Sequence, residues 1–400
     1  MLARARRIRF LIVAMLVISG GVTLWLHRAN DSGASRTIFI GTGHPFAVMV
    51  DVRAGRAYAA DSGGFVSLID TRDDRILAHT PAVAVLAVAA RTGHLFVLNA
   101  SAPHSSFHNV VRMLDASTGK PIAALRLPTV VWPAGAVAEG FGRVFVPSAG
   151  KTRQDGTPLG RGSVFVLDAR SGTLVRTASV GVSPWAVGVD DHTGRAFILN
   201  RGSGSISVLD AATGYLVRTT RVGRSPKAVS IDEPSGKVFV LSDGTLYGAG
   251  PGQASVSILD ARSGALLRTV LVGTASQALA IDSRSGRVFV AGSHIVRVLD
   301  ARSGNFVGTI AVPGEPSAIA VDARAGRALV TAEVSGTQVG PIALSSNHGV
   351  ATVIDTHSGK LLRVVDTAQN PSSVAVDERR GLAFVANSNG ASISVIDLTP

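Results

Sequence analysis

Short apolar runs alternate with polar turns along the chain, and one pattern recurs eight times from Arg36 to the C-terminus. Each unit contains V-x-V-D-x-x-x-G-R-x-F-V, then V-x-V-L-D-x-x-x-G, and then L-V-R-T-x-x-V-G-x-x-P. Units of about 40 to 50 residues that are rich in short strands are typical of propeller blades. The pattern therefore predicts an all-β chain, a β-propeller of four-stranded antiparallel blades.

We name the four predicted strands of a unit A to D in chain order. In the fifth unit they are Ala228–Asp232, Lys237–Leu241, Ser255–Asp260 and Leu266–Val272. Along strand A, large residues such as Val229 and Ile231 alternate with small ones such as Ala228 and Ser230. This alternation predicts that large side chains face one neighbouring blade and small ones the other, so that both faces of each sheet are buried.

The turns after strands A and C carry Asp-x-x-x-Gly, as at Asp232 and Gly236. The carboxylate caps backbone N–H groups of the turn, and glycine supplies the left-handed conformation. A carboxylate that recurs in nearly every blade is structural rather than catalytic. Two units depart from the pattern: Ala89 and Ala138 replace the first Asp, and Glu139 follows one position later.

The two ends of the repeat predict how the ring closes. The last unit, Ser373–Asp397, supplies strands A to C only, whereas Arg36–Gly41 matches the D strand at Arg268–Gly273. We therefore expect the N-terminal strand to complete the last blade and remove the open edge. Eight blades are the first expectation, and seven blades with one displaced unit are the alternative.

Several strand B sequences end in asparagine, namely Phe96–Asn99, Phe197–Asn200 and Phe384–Asn387. Together with V-S-I-L-D and V-G-x-x-P, they resemble the YVTN-type β-propeller repeats of bacterial exported and surface proteins. The resemblance covers about nine tenths of the chain, with Phe in place of the Tyr of the family name. It implies a binding or scaffold module more than an enzyme, and it specifies no chemistry.

The N-terminus has the pattern of an export signal. Four arginines, Arg4, Arg6, Arg7 and Arg9, precede a mostly apolar run from Phe10 to Leu26. No cleavage site of small residues follows, which favours an uncleaved signal-anchor, a hydrophobic transmembrane helix, over a cleaved signal peptide and a secreted protein. We expect an anchor at 1–29, a linker at 30–35 and one propeller domain at 36–400, placed on the periplasmic or extracellular side of a bacterial cytoplasmic membrane.

The composition is strongly basic and contains no cysteine. The formal net charge is +12, and five arginines of the first thirty residues supply five of these charges. The remaining Lys and Arg residues concentrate in the A–B and C–D turns and on strand D, which predicts a positive turn face. A solvated surface is the simplest interpretation, and attraction to anionic lipids, cell-wall polymers or nucleic acid is the alternative. Nucleic acid is disfavoured, because aromatic residues do not alternate with these cations.

Recognition is predicted where the blades differ. Long B–C connections occur in blades two, three, five and seven, at Ala100–Asn109, Ser148–Gly162, Ser242–Ala254 and Ala332–Gly349. They leave the same end of the blades as the D–A connections and should gather around the channel mouth. The candidate binding residues at this end are Phe46, Trp132, Trp185, Lys227, Gln277, Tyr247, His104, His108 and His348.

Trp132 and Trp185 on consecutive blades suit an aromatic platform beside Lys227, for a ligand with an apolar or sugar face and an anionic group. Packing beneath the insertions is the alternative. His104 and His108 lie four residues apart in a predicted loop without acidic ligands, so exposed loop histidines are favoured over a metal site.

The sequence lacks the motifs of common enzyme classes, including a nucleophile elbow, a P-loop and H-E-x-x-H. A non-enzymatic, monomeric binding or scaffold propeller without a cofactor is therefore favoured, with a protein, peptide or glycan partner at the cell envelope. One alternative is a metal-assisted lyase or lactonase that uses His104, His108, His348 and Lys227. Another is a polyanion-binding protein that uses the arginine-rich turn face.

Overall fold

A computed structural model describes residues 17–18, 21–22, 35–100, 108–129, 131, 134–149, 160–244, 252–335, 338–339, 342–343 and 347–399. Contacts divide the chain into two units, Met1–Ala34 and Ser35–Pro400. In the first unit, Val17–Ile18 and Gly21–Val22 pair as short antiparallel strands. The sequence predicts a helix over these four residues, but they form strands, since β-branched residues and glycine are weaker helix formers than alanine or leucine. The rest of the predicted helix lies outside the described residues, among which no helix is long and apolar enough to cross a membrane.

The second unit is a ring of eight four-stranded antiparallel blades. Within each blade the strand order is A-B-C-D, and strand A of every blade contacts strand A of both neighbours, including those of blades eight and one. Eight blades, and not the alternative of seven, are therefore confirmed.

The strands of blades one to four have the following bounds. Blade one comprises Pro45–Asp51, Arg56–Asp61, Phe65–Asp70 and Ile76–Pro81. Blade two comprises Ala84–Ala89, His94–Ala100, His108–Asp115 and Pro121–Arg126. Blade three comprises Ala136–Ala138, Arg143–Ser148, Ser163–Asp168 and Leu174–Ser179. Blade four comprises Pro184–Asp190, Arg195–Asn200, Ser205–Asp210 and Leu216–Arg221.

The remaining blades follow the same order. Blade five comprises Pro226–Asp232, Lys237–Ser242, Ala254–Asp260 and Leu266–Gly273. Blade six comprises Ser276–Asp282, Arg287–Gly292, Ile295–Asp300 and Phe306–Ala311. Blade seven comprises Glu315–Asp322, Arg327–Val334, His348–Asp355 and Leu361–Thr367. Blade eight comprises Pro371–Asp377, Leu382–Asn387, Ser392–Asp397 and the N-terminal strand Arg36–Phe39.

The N-terminal strand closes the ring as predicted. Arg36–Phe39 pairs antiparallel with strand C of blade eight. Ile38 and Ile40 are buried with Phe384 and Ile393 of blade eight and with residues of blade one. The closing strand therefore adds main-chain hydrogen bonds and apolar contacts to the last interface of the ring.

The core consists of apolar layers between adjacent blades. The predicted large-to-small packing is confirmed where a Cβ added at Gly188 of blade four would lie 3.0 Å from Val229 and 3.4 Å from Ile231 of blade five. The third residue of strand B adds a buried aromatic ring in seven blades, namely Tyr58, Phe96, Phe145, Phe197, Phe239, Phe289 and Phe384. Apolar burial on both faces of each sheet therefore stabilises the ring.

The A–B and C–D turns have the predicted chemistry. Asp51 Oδ1 accepts hydrogen bonds from the backbone N–H groups of Arg53 (2.9 Å) and Ala54 (3.0 Å). Gly55 follows with φ = 66°, and Asp74, which replaces glycine in one turn, adopts φ = 61°. The recurring carboxylates are therefore turn caps.

Many cations of this turn face hold the blades together. Arg143 Nη1 pairs with Asp168 at 2.9 Å, and its Nε donates to the carbonyl of Ala212 in the next blade at 3.2 Å. The same pairing of the first residue of strand B with the Asp that ends strand C recurs at Arg56–Asp70, Arg195–Asp210 and Arg327–Asp355. The predicted positive turn face is thus partly neutralised by ion pairs.

Candidate functional site

The D–A and B–C connections lie at one end of the blades, which we name the mouth face. In the described part of the chain, six strands A begin there with a β-bulge. In blade four, Pro184 pairs with Asn200 and Ala186 pairs with Leu199, so the register of the ladder shifts by one residue at Trp185. A bulge re-aims the side chain of the extra residue. The bulge residues, which we name the rim residues, are Phe46, Trp185, Lys227, Gln277, Ser317 and Ser372.

The residue two positions before the bulge residue has an unusual backbone conformation in blades four, five and eight. Ser183, Ser225 and Asn370 each precede a proline and adopt φ of 50°, 52° and 54°. A non-glycine residue in this region costs about 1 kcal/mol or more. Its carbonyl in return accepts the N–H of the first residue after strand B of the same blade, for example from Arg201 to Ser183 at 2.9 Å. The D–A connection is thereby fixed to the B–C connection.

The buried asparagine that ends strand B of blades four and eight holds these connections in place through hydrogen bonds. Asn200 is fully buried, its Nδ2 donates to Ser205 Oγ (3.2 Å) and Ser207 Oγ (3.0 Å), and its Oδ1 accepts the N–H of Gly181 at 3.1 Å. Asn387 donates in the same way to Ser392 and Ser394. These asparagines therefore position the connections of the mouth face and are not available to a ligand.

Neighbouring rim residues contact each other around the mouth. Lys227 Nζ donates to Gln277 Oε1 at 2.7 Å, which joins blades five and six. Ser372 Oγ donates to the carbonyl of Phe46 at 3.3 Å, which joins blades eight and one. Ser317 Oγ donates in the same way to a carbonyl of blade eight. The rim residues therefore form an arc of differing side chains on one repeated backbone.

The apolar part of the mouth face lies at blades one and two. Phe46 is 38 % exposed. It lines a pocket of about 290 Å³ with Val83, Ala84, Leu98 and other residues of these two blades. The wall of this pocket is mostly apolar, and Asp61 and Ser62 are its polar members.

The basic part of the mouth face lies at blades four to six. The guanidinium of Arg201 lies over the ring of Trp185, 5.3 Å from its centroid, and Arg201 Nε donates to Ser225 Oγ at 3.1 Å. Burial lowers the pKa of Lys227, the charge of Asp243 raises it, and the charge of Arg201 lowers it. Two cations of adjacent blades thus lie near each other beside an indole.

The two described histidines of the alternative enzyme site, His108 and His348, lie in blades that are not adjacent. His108 and His348 begin strand C of blades two and seven, whereas both were predicted in loops. The strands extend further because His108 pairs with Ala100 and His348 with Val334. Blades two and seven are not neighbours in the ring. Among the residues that the structure describes, no three His, Cys, Asp or Glu side chains are grouped so that they could hold a metal ion.

Other predictions lie outside the described residues, namely those for Trp132, Tyr247 and His104. The platform of Trp132 and Trp185 therefore stays a prediction. The structure adds Arg201, Ser225 and Asp243 to the site. Arg201 and Asp243 are the first residues after strand B of their blades, and this position is the signal by which they could have been found.

No protein-family model matches the sequence, and no curated protein matches it. Solved propellers are similar in structure. The computationally designed Ika8 protein superposes with a TM-score of 0.65 over 88 % of this chain and 96 % of its own. BamB from Moraxella catarrhalis has a TM-score of 0.62 over 91 % and 99 %, and hydrazine synthase of Kuenenia stuttgartiensis one of 0.58 over 92 % and 98 %. Each is 14 % identical to this chain, so these comparisons show a shared β-propeller fold and nothing more.

Proposed function

We propose that the chain is an exported, membrane-anchored propeller of the YVTN type that binds a protein, peptide or glycan partner without catalysis. The mouth face is its recognition surface. The observation that carries this proposal is the bulge at the start of strand A in six blades, because the same backbone feature presents Phe, Trp, Lys, Gln or Ser at the mouth. A scaffold that repeats its backbone and varies its exposed side chains is organised for recognition.

The distribution of carboxylates supports binding over catalysis. General acid–base chemistry needs a titratable group at the reacting atom. Lys227 is the one ionisable side chain among the rim residues. The acids that recur in the blades cap turns at the opposite end of the sheets. The rim residues are aromatic, amide, hydroxyl and cationic groups, which suit a partner surface, and the acids Glu315 and Glu333 of the mouth face are engaged with His294 and with the backbone of Asn370.

The test uses a substitution that the chain itself supplies. Blades seven and eight carry serine at the bulge, so serine is compatible with the bulged backbone. A fourfold variant of the full chain should keep the propeller ring and remove the side chains that distinguish the rim residues. Its substitutions are Phe46→Ser, Trp185→Ser, Lys227→Ser and Gln277→Ser. We expect it to lose the adducts that chemical crosslinking of intact cell envelopes yields with the native chain.

The control changes side chains elsewhere that are more exposed than Phe46, Trp185 and Lys227. Leu267, Leu271 and Phe306 on the outer D strands are 54 %, 63 % and 58 % exposed. Their triple replacement with serine should leave the adducts unchanged. Loss of adducts in this control and retention in the fourfold variant would place recognition on the outer rim and overturn the proposal. Thermal unfolding of both variants verifies that the fold is retained.

Export and anchoring rest on the basic and apolar N-terminal segment. The expected result is that the full chain resists alkaline extraction from membranes and is digested by protease added to the outer side of spheroplasts. Recovery in the soluble cytoplasmic fraction would contradict the proposed location.

A further inference from the structure

Arg201 of blade four is held in place on the mouth face by contacts of its Nε and of its guanidinium plane. Its Nε donates to Ser225 Oγ at 3.1 Å, and its guanidinium lies 5.3 Å from the centroid of Trp185. Ser225 itself is fixed, because its carbonyl accepts the N–H of Asp243 at 3.3 Å. Among the residues that the structure describes, the two Nη groups of Arg201 make no hydrogen bond or ion pair, and such a pair can bind an oxyanion in a fork.

Lys227 of blade five is the second cation. Its Nζ donates to Gln277 Oε1 at 2.7 Å and lies 3.5 Å from the carbonyl of Ser276. These partners are neutral, and neither Lys227 nor Arg201 has a carboxylate oxygen within 4.0 Å in the described part of the chain. A half-buried ammonium without an ion pair is energetically unfavourable. An anion beside it would relieve this cost.

Acids of the mouth face in blade seven are engaged elsewhere. Glu315 Oε1 lies 2.8 Å from His294 Nε2, and Glu333 Oε2 accepts the N–H of Asn370 at 2.7 Å. Within the described part of blades four to six, Asp243 is the acid whose charge acts on Lys227. Arg201, Lys227 and Asp243 together carry one net positive charge, which matches a monoanion better than a dianionic phosphate.

We propose that Arg201 and Lys227 form a binding site for a carboxylate, contributed by an acidic side chain or the C-terminal carboxylate of a polypeptide partner. The assignment rests on the proposed function in that it places this contact within the mouth face. Arg201 receives the carboxylate through its Nη groups, Lys227 neutralises it from the adjacent blade, and Gln277 orients Lys227. Trp185 supplies an apolar side to the site.

The test follows Lys227 directly by NMR. The chain contains five lysines, at 120, 151, 227, 237 and 360. Reductive methylation of the full chain with 13C-formaldehyde keeps their charge and gives few resonances, and a Lys227→Arg variant assigns the one that matters. At constant ionic strength, acetate should shift the Lys227 resonance in a saturable manner, while that of Lys120 on a C–D turn changes linearly. Arg201→Gln should weaken acetate binding at least about tenfold, whereas Arg221→Gln on the outer strand should not.

Three results would overturn the assignment. The first is a Lys227 shift as linear as that of Lys120, the second is an unchanged affinity in Arg201→Gln, and the third is tighter binding of inorganic phosphate than of acetate. The mouth as a recognition surface is tested separately. If Arg201→Gln leaves the envelope adducts intact and the fourfold serine variant removes them, the carboxylate site is wrong and the proposed function stands.

Discussion

Replacing Glu139 with alanine should loosen the A–B turn of blade two, because this glutamate of blade three caps that turn. Blade two has Ala89 where the other turns have Asp. Glu139 Oε1 accepts the N–H of Ala90 at 2.6 Å, and its Oε2 accepts the N–H of Arg91 at 3.0 Å. A carboxylate from the neighbouring blade thus takes over the capping that Asp51 performs within blade one.

The expected loss follows from these two bonds. A hydrogen bond to a charged group contributes about 1.5 to 3 kcal/mol. The N–H of Ala90 is partly buried, while that of Arg91 is exposed and regains a water, so we expect Glu139→Ala to cost about 2 kcal/mol. Local opening of the turn should then speed amide exchange at Ala90 and Arg91 by roughly 30-fold, which hydrogen exchange measured by mass spectrometry detects.

A second substitution tests the reasoning. Ala89→Asp restores the pattern of the other turns, so it should recover slow exchange in the Glu139→Ala background. In the native background it should instead destabilise the turn, because two carboxylates then compete for the same N–H groups. Rescue would be absent, and the two effects would simply add, if Glu139 did not act as the missing cap.

Three further predictions concern ring closure, blade packing and pH, each measured by chemical denaturation. Ile40→Ala should lower the free energy of unfolding by about 2 to 4 kcal/mol, because Ile40 is 1 % exposed. Phe39→Ala, at 73 % exposure, should lower it by less than about 0.5 kcal/mol. Equal losses would contradict the closing role of this strand. Gly188→Val should lower the free energy of unfolding by about 1 to 3 kcal/mol, because a Cβ at this position crowds the next blade. Gly308→Val should be tolerated, because no atom lies within 4 Å of a Cβ at that position. If both valines were tolerated, the proposed large-to-small packing between blades would be wrong. Hydrogen bonds from neighbouring hydroxyl groups lower the pKa of Asp115 to about 2, so the stabilisation by its carboxylate is complete above the unfolded pKa of 3.8 and is lost as the pH falls through about 2. The loss of unfolding free energy in Asp115→Asn should therefore shrink over this pH range. A loss that does not change with pH would contradict this role of Asp115.

The blades could be predicted from the sequence because strand patterning and turn chemistry are local and repeat. Asp-x-x-x-Gly fixes where each turn lies, and the alternation seen at Gly188 and Val229 fixes which faces meet. The match between Arg36–Gly41 and a strand D predicted the closing strand for the same reason. Errors arose where main-chain pairing continued beyond the pattern, as at His108 and His348, which lie in strands and not in loops.

The candidate site was predicted in part. Phe46, Trp185, Lys227 and Gln277 were identified by their place at the start of strand A, and all four are bulge residues. The bulge itself could not be predicted, since one extra residue between Pro and the alternating strand leaves no hydrophobic signal. Arg201 was missed because its contact with Trp185 depends on how the B–C connection folds back onto the D–A connection.

The location of the recognition surface is tested most directly by a photo-crosslinking amino acid placed at single positions of the full chain in living cells. We expect adducts with a polypeptide partner from position 46 or 277 on the mouth face. Positions 213 and 263, in C–D turns at the opposite end of the blades, should give none. Adducts from the turns alone, with none from the mouth face, would contradict the central claim.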